Sequence, residues 1–477
     1  MHTLVHDSFP DSVAVPRAPL KERLSWAIYD FAATLFSMNV VTLYFAVWLV
    51  SDLHTSNTTV AVANGITAAL VVISLPVFGA LSDVTRRRKS WVVGFTLLCA
   101  VATMLIGVFG STLLPLVGDA VSGAVTIPGY RAEGGGLIAV MAAFIVANYA
   151  HQGAVPFYNA MMPELVPRKE WGRLSGLGAA LAYVGSIVGV LMITPFFDGT
   201  LPVAGPLPHG LIQTLRTVFP YTEHGGRVST FFPTAVVFLI FALPLIVVCR
   251  DHFPIAGPTV VPWRKAFRDV SKTFADTKQY PGMRRFLLAS FVYQDAMGTI
   301  ISFMAVYAVV AMGFESSSAA TLFVILTVPA VFGSWLWGQM TDKFGAQRTL
   351  CFIIGAWILL LIAMMLVSSK SLFWVVGASI GFIYGGVSVA ERPLLLTLVP
   401  EAEAGRFFSL MILSARAAAI VGPFIWGFAV DGLTPVVGKD TAYRAAVGTV
   451  AIAMIIALLV LRGVPDRVRG EARPANY

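Results

Sequence analysis

Long apolar stretches alternate with short polar ones along this chain, and that alternation constrains its fold more than any other feature. A helix that spans a bilayer needs ~20 mainly apolar residues. About twelve such stretches are present, near 25–50, 59–82, 90–110, 136–160, 173–196, 229–249, 286–311, 317–340, 349–368, 371–399, 406–430 and 443–462. With 57% hydrophobic and 12% charged residues over 477 positions, the chain is too apolar for a water-soluble globule. The first 22 residues carry mixed charge and no cleavable apolar core, so no signal peptide is expected.

The formal charge of +8 invites a nucleic-acid reading, which the placement of the charge opposes. With the amino terminus inside, inner segments hold 25 Lys/Arg and outer loops 6, with Arg392 and Arg416 inside spans. That asymmetry is the positive-inside rule and places both termini in the cytoplasm. Cys99, Cys249 and Cys351 fall at or within apolar stretches at unrelated spacings, so neither a disulfide framework nor a metal site is expected.

Internal repeats divide the stretches six plus six. Residues 79–89, Gly-Ala-Leu-Ser-Asp-Val-Thr-Arg-Arg-Arg-Lys, form a short basic loop between two spans. Residues 338–348, Gly-Gln-Met-Thr-Asp-Lys-Phe-Gly-Ala-Gln-Arg, repeat the pattern, with Gly79 and Asp83 matching Gly338 and Asp342 at an offset of 259. The second copy carries Gly345 where the first has Arg86. Asp30, Thr34 and Ser37 in the first span match Asp295, Thr299 and Ser302 in the seventh at an offset of 265. Positions i, i+4 and i+7 share one helical face, so each half presents an Asp-Thr-Ser stripe. A third pair, Val166-Pro-Arg-Lys-Glu-Trp-Gly-Arg173 and Val399-Pro-Glu-Ala-Glu-Ala-Gly-Arg406, matches at 233, because the first half carries 26 extra residues. That insertion, roughly 111–135, and a second at 197–228 are expected to be outer loops.

A glycine, three residues, an acid and then basic residues, given twice between helices, resembles the loop signature of the major facilitator superfamily. Ser25-Trp-Ala-Ile-Tyr-Asp-Phe-Ala32, Phe157-Tyr-Asn-Ala-Met-Met-Pro-Glu-Leu165, Gly172-Arg-Leu-Ser-Gly-Leu-Gly178 and Asp295-Ala-Met-Gly-Thr-Ile-Ile-Ser-Phe303 are similar to the vacuole effluxer-like branch, across most of the chain. The tenth span departs from the branch at Gly385-Gly-Val-Ser-Val-Ala-Glu-Arg-Pro393, where Glu391 and Arg392 replace small and hydroxyl residues. The resemblance implies an all-α integral membrane fold of twelve helices in two pseudo-symmetric six-helix halves. It also implies that the first half's loop meets helix eleven and the second half's loop meets helix five. The gating set is then Gly79, Asp83, Arg87, Arg88, Gly338, Asp342, Lys343, Gly345, Arg348, Arg173 and Arg406, with Asp83 near 405–409 and Asp342 near 172–176.

The expected domains are 1–249 and 286–477 (the second with a short basic tail), joined by a cytoplasmic linker at 250–285. In the linker Trp263, Phe267, Val270 and Phe274 fall at helical spacing, which predicts a helix lying on the membrane surface. Helical rise of ~1.5 Å per residue places Asp295, Glu391 and Arg416 near the middle of a hydrocarbon core of ~30 Å. With Arg392 these residues form a charge-balanced group, against a plain alternative of a fixed ion-pair lock between helices. Asp30 lies shallower, and His151 sits deep in the fourth span beside Asn148 and Gln152. His151 suits proton uptake, and equally a hydrogen-bonded core position. Asp295 is the expected coupling acid, Arg416 the expected partner of a substrate carboxylate, and Glu391 that of an ammonium group.

No metal set, nucleophile–base set or phosphate-cradling loop is visible, so no enzyme activity and no cofactor are expected. The function expected is alternating-access secondary transport of a small polar or zwitterionic solute, an amino acid or related metabolite, exported with proton coupling by a monomer in the inner or plasma membrane. Export of drug-like compounds and a non-transporting receptor are the alternatives.

Overall fold

A computed structural model describes residues 17–53, 55, 57–85, 87–122, 134–201, 205–222, 225–252, 276–310, 312–313, 318–418 and 421–465. In hydrocarbon every backbone polar group must be satisfied within its own segment, so apolar stretches of this length become helices. The helices are α1 (Leu20–Phe36), α2 (Asn57–Thr85), α3 (Arg88–Ser122), α4 (Gly134–Leu165), α5 (Trp171–Asp198), α6 (His209–Val218) and α7 (Phe231–Val248). Then come α8 (Met283–Val310), α9 (Ser318–Phe344), α10 (Ala346–Leu366), α11 (Lys370–Leu398), α12 (Ala404–Ala418), α13 (Val421–Val437) and α14 (Lys439–Arg462). Nine of the described helices are long and apolar enough to cross a bilayer, with shorter apolar helices beside them. The twelve spans are α1–α5, α7–α11, the pair α12/α13, and α14, a multi-pass membrane protein.

Packing repeats between the halves. In the first half α1 packs on α5 and α7, α2 on α4, and α3 on α4 and α7. In the second, α8 packs on α12 and α14, α9 on α11, and α10 on α11 and α14. Contacts between halves follow the same two-fold logic, with α2 and α4 against α12, and α9 and α11 against α5. The halves therefore meet on the face where α2 and α9 end, called here the loop face. On the opposite face α13 packs against α8 and α14 of its own half.

One expectation changes. The 111–135 insertion is helical up to Ser122, because α3 runs eleven residues past Ser111 instead of ending in a loop. The first stripe stays on α-helical backbone as far as Ser37, whose N–H bonds the Ala33 and Thr34 carbonyls, and a π-helical stretch runs from Ser37 to Tyr44. The eleventh stretch is described on either side of residues 419–420, as α12 and α13. The linker helix around Trp263, like the tail after Pro465, falls outside the described residues.

Candidate functional site

Asp30 sits on α1 and is 8% exposed. Its Oδ2 accepts a hydrogen bond from Nη1 of Arg392 on α11, 3.1 Å away. The two residues belong to different halves, so the ion pair ties the halves together inside the protein. Local packing explains its position. Trp26, one turn before Asp30, donates through Nε1 to the Tyr158 carbonyl, and the Tyr158 hydroxyl donates back to the Trp26 carbonyl. Their rings stack at 4.5 Å, which fixes α1 against α4. On the other side Gly178 of α5 leaves the space that Asp30 occupies. A Cβ there would lie 2.5 Å from Asp30 Oδ2 and 3.1 Å from the Trp26 ring.

Glu391 adjoins Arg392 but points elsewhere, since consecutive helical residues diverge by ~100°. It is 3% exposed, and its carboxyl group accepts from Ser290 Oγ at 2.6 Å, Tyr293 Oη at 2.6 Å and Gln294 Nε2 at 3.0 Å. These three donors sit at i, i+3 and i+4 on α8, so Glu391 fastens α11 to α8 within the second half. Asp295, also 8% exposed, turns to a third place, where its Oδ1 accepts the Gly422 N–H of α13 at 2.8 Å. Thr299, one turn on, is buried, and its hydroxyl has no hydrogen-bond partner among the described residues. A Cβ on Gly422 would collide with Thr299 Oγ1. Of the expected four-charge group, Arg392, Glu391 and Asp295 each bond to a different helix, and the side chain of Arg416 lies outside the described residues.

His151 is half-buried with its ring 5.0 Å from that of Phe36. Beside it Gln152 Nε2 donates to Asn148 Oδ1 at 3.0 Å, and Asn148 Nδ2 reaches Asn64 Oδ1 of α2 at 3.5 Å. Thr34 is half-buried one turn beyond Asp30. In the second stripe the Ser302 hydroxyl donates to the Gly298 carbonyl of its own helix, a purely local bond.

On the loop face Asp342 accepts two backbone N–H groups at the start of α5, Gly172 at 2.8 Å and Arg173 at 2.9 Å. A helix amino terminus offers unpaired N–H groups and about half a positive charge, which suits a carboxylate. Gly172, Gly176 and Gly338 let the backbones touch: a Cβ on Gly338 would lie 2.7 Å from the Gly172 carbonyl oxygen, and one on Gly176 2.7 Å from that of Ser334. The other loop repeats the approach, since a Cβ on Gly79 would lie 2.7 Å from the Arg406 Cα of α12. The side chain of Asp83 lies outside the described residues. Gly345, at φ +96°, opens α10 in a conformation that side chains other than glycine's rarely adopt.

Within the basic run the structure singles out Arg88. It is 2% exposed, pairs with Glu164 Oε1 at 2.8 Å, and donates through Nη2 to the Glu401 carbonyl of the other half at 3.3 Å. Arg87, by contrast, is exposed. Arg406 is held by Glu403 of its own half at 2.5 Å and by Asp276 of the linker at 3.7 Å. The Tyr280 hydroxyl donates to the same Glu403 oxygen, and burial with that carboxylate nearby pushes its pKa up to about 12. Arg173 lies 3.6 Å from Asp342, Lys343 lies over the Phe344 ring, and Arg348 is exposed.

Sequence reasoning passed over Gly178, Tyr158, Ser290, Tyr293 and Gln294 as site residues. The first two stood in the blocks that carried the family resemblance. For the other three, polar side chains at i, i+3 and i+4 in a span were the available signal.

Two six-helix halves joined by a buried ion pair, and by paired glycine–acid loops on one face, define a transporter of the major facilitator fold. More narrowly, residues 53–472 match the family described as "Vacuole effluxer Atg22 like", and the chain belongs to it. It is similar to an uncharacterized MFS-type transporter, YxiO, of Bacillus subtilis (strain 168), with 23% identity covering 94% of this chain and 95% of that one. It is also similar to the multidrug resistance protein MdtG of Proteus mirabilis (strain HI4320), at 26% identity over 80% and 81% of the two chains. Among solved structures, the MFS transporter FucP in the outward conformation superposes with a TM-score of 0.68 at 12% identity, over 94% of this chain and 99% of that one. A bacterial homologue of the iron transporter ferroportin, in the outward-facing state, does so at 0.65 and 13%, over 93% and 98%.

Proposed function

We propose that this protein exports a small zwitterionic solute, an amino acid or a related metabolite, in exchange for protons, and that the Asp30–Arg392 pair recognises it. The observation that carries this reading is the 3.1 Å ion pair itself, because it is a buried pair of opposite charges, one from each half. Breaking a buried pair leaves an uncompensated charge, which costs about 3–5 kcal/mol, so the pair opens only when something else satisfies both partners. A zwitterion does this, with its carboxylate on the planar donor fork of Arg392 and its ammonium on Asp30. A proton on Asp30 neutralises that carboxylate and leaves Arg392, whose side chain is 17% exposed, to water by the alternative route. Solute and proton then compete for one switch, which suits exchange.

The termini lie in the cytoplasm in this reading, so the loop face is cytoplasmic and the described conformation is open outward. Glu391 and Asp295 hold the second half together while it moves, in place of the solute-binding and coupling roles that sequence alone suggested for them. The MdtG relative favours an exporter of drug-like compounds as a second reading. The aromatic pair Tyr183 and Tyr384, 6.3 Å apart across the halves, gives such a compound a surface.

Uptake of a panel of amino acids and cationic drugs into proteoliposomes, with and without an imposed pH gradient, separates the two. Asp30→Asn is expected to abolish gradient-driven accumulation of the zwitterion while counterflow persists. Accumulation against a gradient by that variant removes Asp30 from the coupling role.

A further inference from the structure

The connection between α5 and α7, on the face opposite the loops, contains a short helix that takes no part in the transport site. It begins with a two-residue antiparallel pairing of Thr200–Leu201 with Gly205–Pro206, and continues into α6. One side of α6 is fastened to the first half. Ile212 lies against Gly199, Arg216 donates to the Phe196 carbonyl at 3.3 Å, and the Phe219 ring meets that of Phe196 at 5.2 Å.

At ~100° per residue, Val218, Leu211, Leu215 and Ile212 make one continuous apolar arc, and Arg216, His209, Gln213, Thr217, Gly210 and Thr214 fill the rest of the circumference. The protein covers only half of that arc. Ile212 and Leu215 are partly buried, whereas Leu211 is 48% and Val218 67% exposed. Tyr221 follows with 45% exposure, at φ +63°, the one non-glycine residue with positive φ among the described residues.

The direction of the uncovered flank follows from what lies under its end. The Tyr221 ring rests 6.0 Å from Phe232 at the start of α7, and Phe232 in turn lies against Gly107 of α3. α3 and α7 pack on helices of the first half, and their outward residues Leu97, Leu98, Val101, Ile240, Leu243 and Val247 are all exposed and apolar. That outward surface is the lipid-facing belt of a spanning bundle. Tyr221, three residues beyond the uncovered Val218, meets the outer end of that surface through Phe232.

We propose that α6 and Tyr221 lie in the headgroup boundary of the leaflet on this face, with Leu211 and Val218 in lipid and Gln213 and Thr217 in water. An amphipathic helix and a tyrosine at the end of a lipid belt are the elements that hold a segment at that depth. The first half is thereby anchored at a fixed height in the bilayer. The proposal is independent of which solute is carried.

The test places a bimane fluorophore at Val218→Cys or at Gln213→Cys, in protein with Cys99, Cys249 and Cys351 replaced by alanine, reconstituted into nanodiscs. The label at 218 is expected to be blue-shifted and quenched by lipids brominated near the headgroup end of the chain. The label at 213 is expected to be quenched by aqueous iodide. Equal iodide quenching at both sites overturns the proposal, and so does shielding at 218 without quenching by brominated lipid, which would mean a protein cover. If the cysteine-free protein does not fold, hydroxyl-radical footprinting of the unmodified chain in nanodiscs decides. Slow oxidation of Leu211 and Tyr221 supports the anchor, and oxidation at the rate of fully exposed residues refutes it.

Discussion

At the scale of single residues, Glu391 and Arg392 show how adjacency in sequence separates into two jobs. Glu391→Gln leaves the shape but gives Ser290, Tyr293 and Gln294 an amide in place of an acceptor-only carboxylate. The loss of hydrogen bonding to a buried group costs about 1–3 kcal/mol. The variant is therefore expected to unfold at lower temperature, with its solute affinity unchanged relative to the parent. Differential scanning fluorimetry alongside a binding isotherm checks both halves of that statement. Arg392→Lys keeps the charge and loses the planar fork. Solute affinity is expected to fall by at least about tenfold, the equivalent of ~1.4 kcal/mol. Unaltered affinity would reduce Arg392 to a fastening between helices.

Between elements the controlling contact is the approach of α5 to α9. Gly338 faces the backbone of Gly172, which cannot swing aside as a side chain can. Gly338→Ala is an overpacking change of about 1–3 kcal/mol that falls only on the conformation with the loop face closed. A shift of that size is roughly 5–150-fold in the equilibrium between conformations. The expected result is increased maleimide labelling of cysteines introduced on the loop-face side of the central cavity. Labelling at the parental rate would mean that α5 and α9 separate no further in the variant. Asp342→Asn should act in the same direction and more weakly, since a neutral amide oxygen still accepts one of the two N–H bonds.

For the whole molecule, two-fold repetition of packing predicts that the two loops are equivalent levers. Gly79 meets α12 as Gly338 meets α5, so Gly79→Ala is expected to open the loop face as Gly338→Ala does. The contacts must be worth only a few kcal/mol together, because a locked state cannot cycle. Double electron–electron resonance between spin labels on α2 and α12 reads the separation directly. An unchanged distance distribution in Gly79→Ala, beside a shifted one in Gly338→Ala, would show that the halves do not act symmetrically.

Hydropathy marked the spans, because lipid forces apolar segments of that length into helices; repetition at fixed offsets marked the two halves, and the family was legible through the resemblance of the sequence blocks that carry it. The Gly-x-x-x-Asp loops were legible for the same reason: a small residue and an acid at fixed spacing have few other uses between spans. What helical periodicity could not supply was the partner of each buried charge. Depth along a helix follows from residue count, so Asp295, Glu391 and Arg392 read as one layer. Azimuth and the identity of the facing helix depend on how twelve cylinders pack, and there the tertiary structure sent Arg392 to Asp30, Glu391 to α8 and Asp295 to α13. Tertiary contacts likewise divided the basic run into a buried Arg88 and an exposed Arg87, a distinction that charge counting has no means to make.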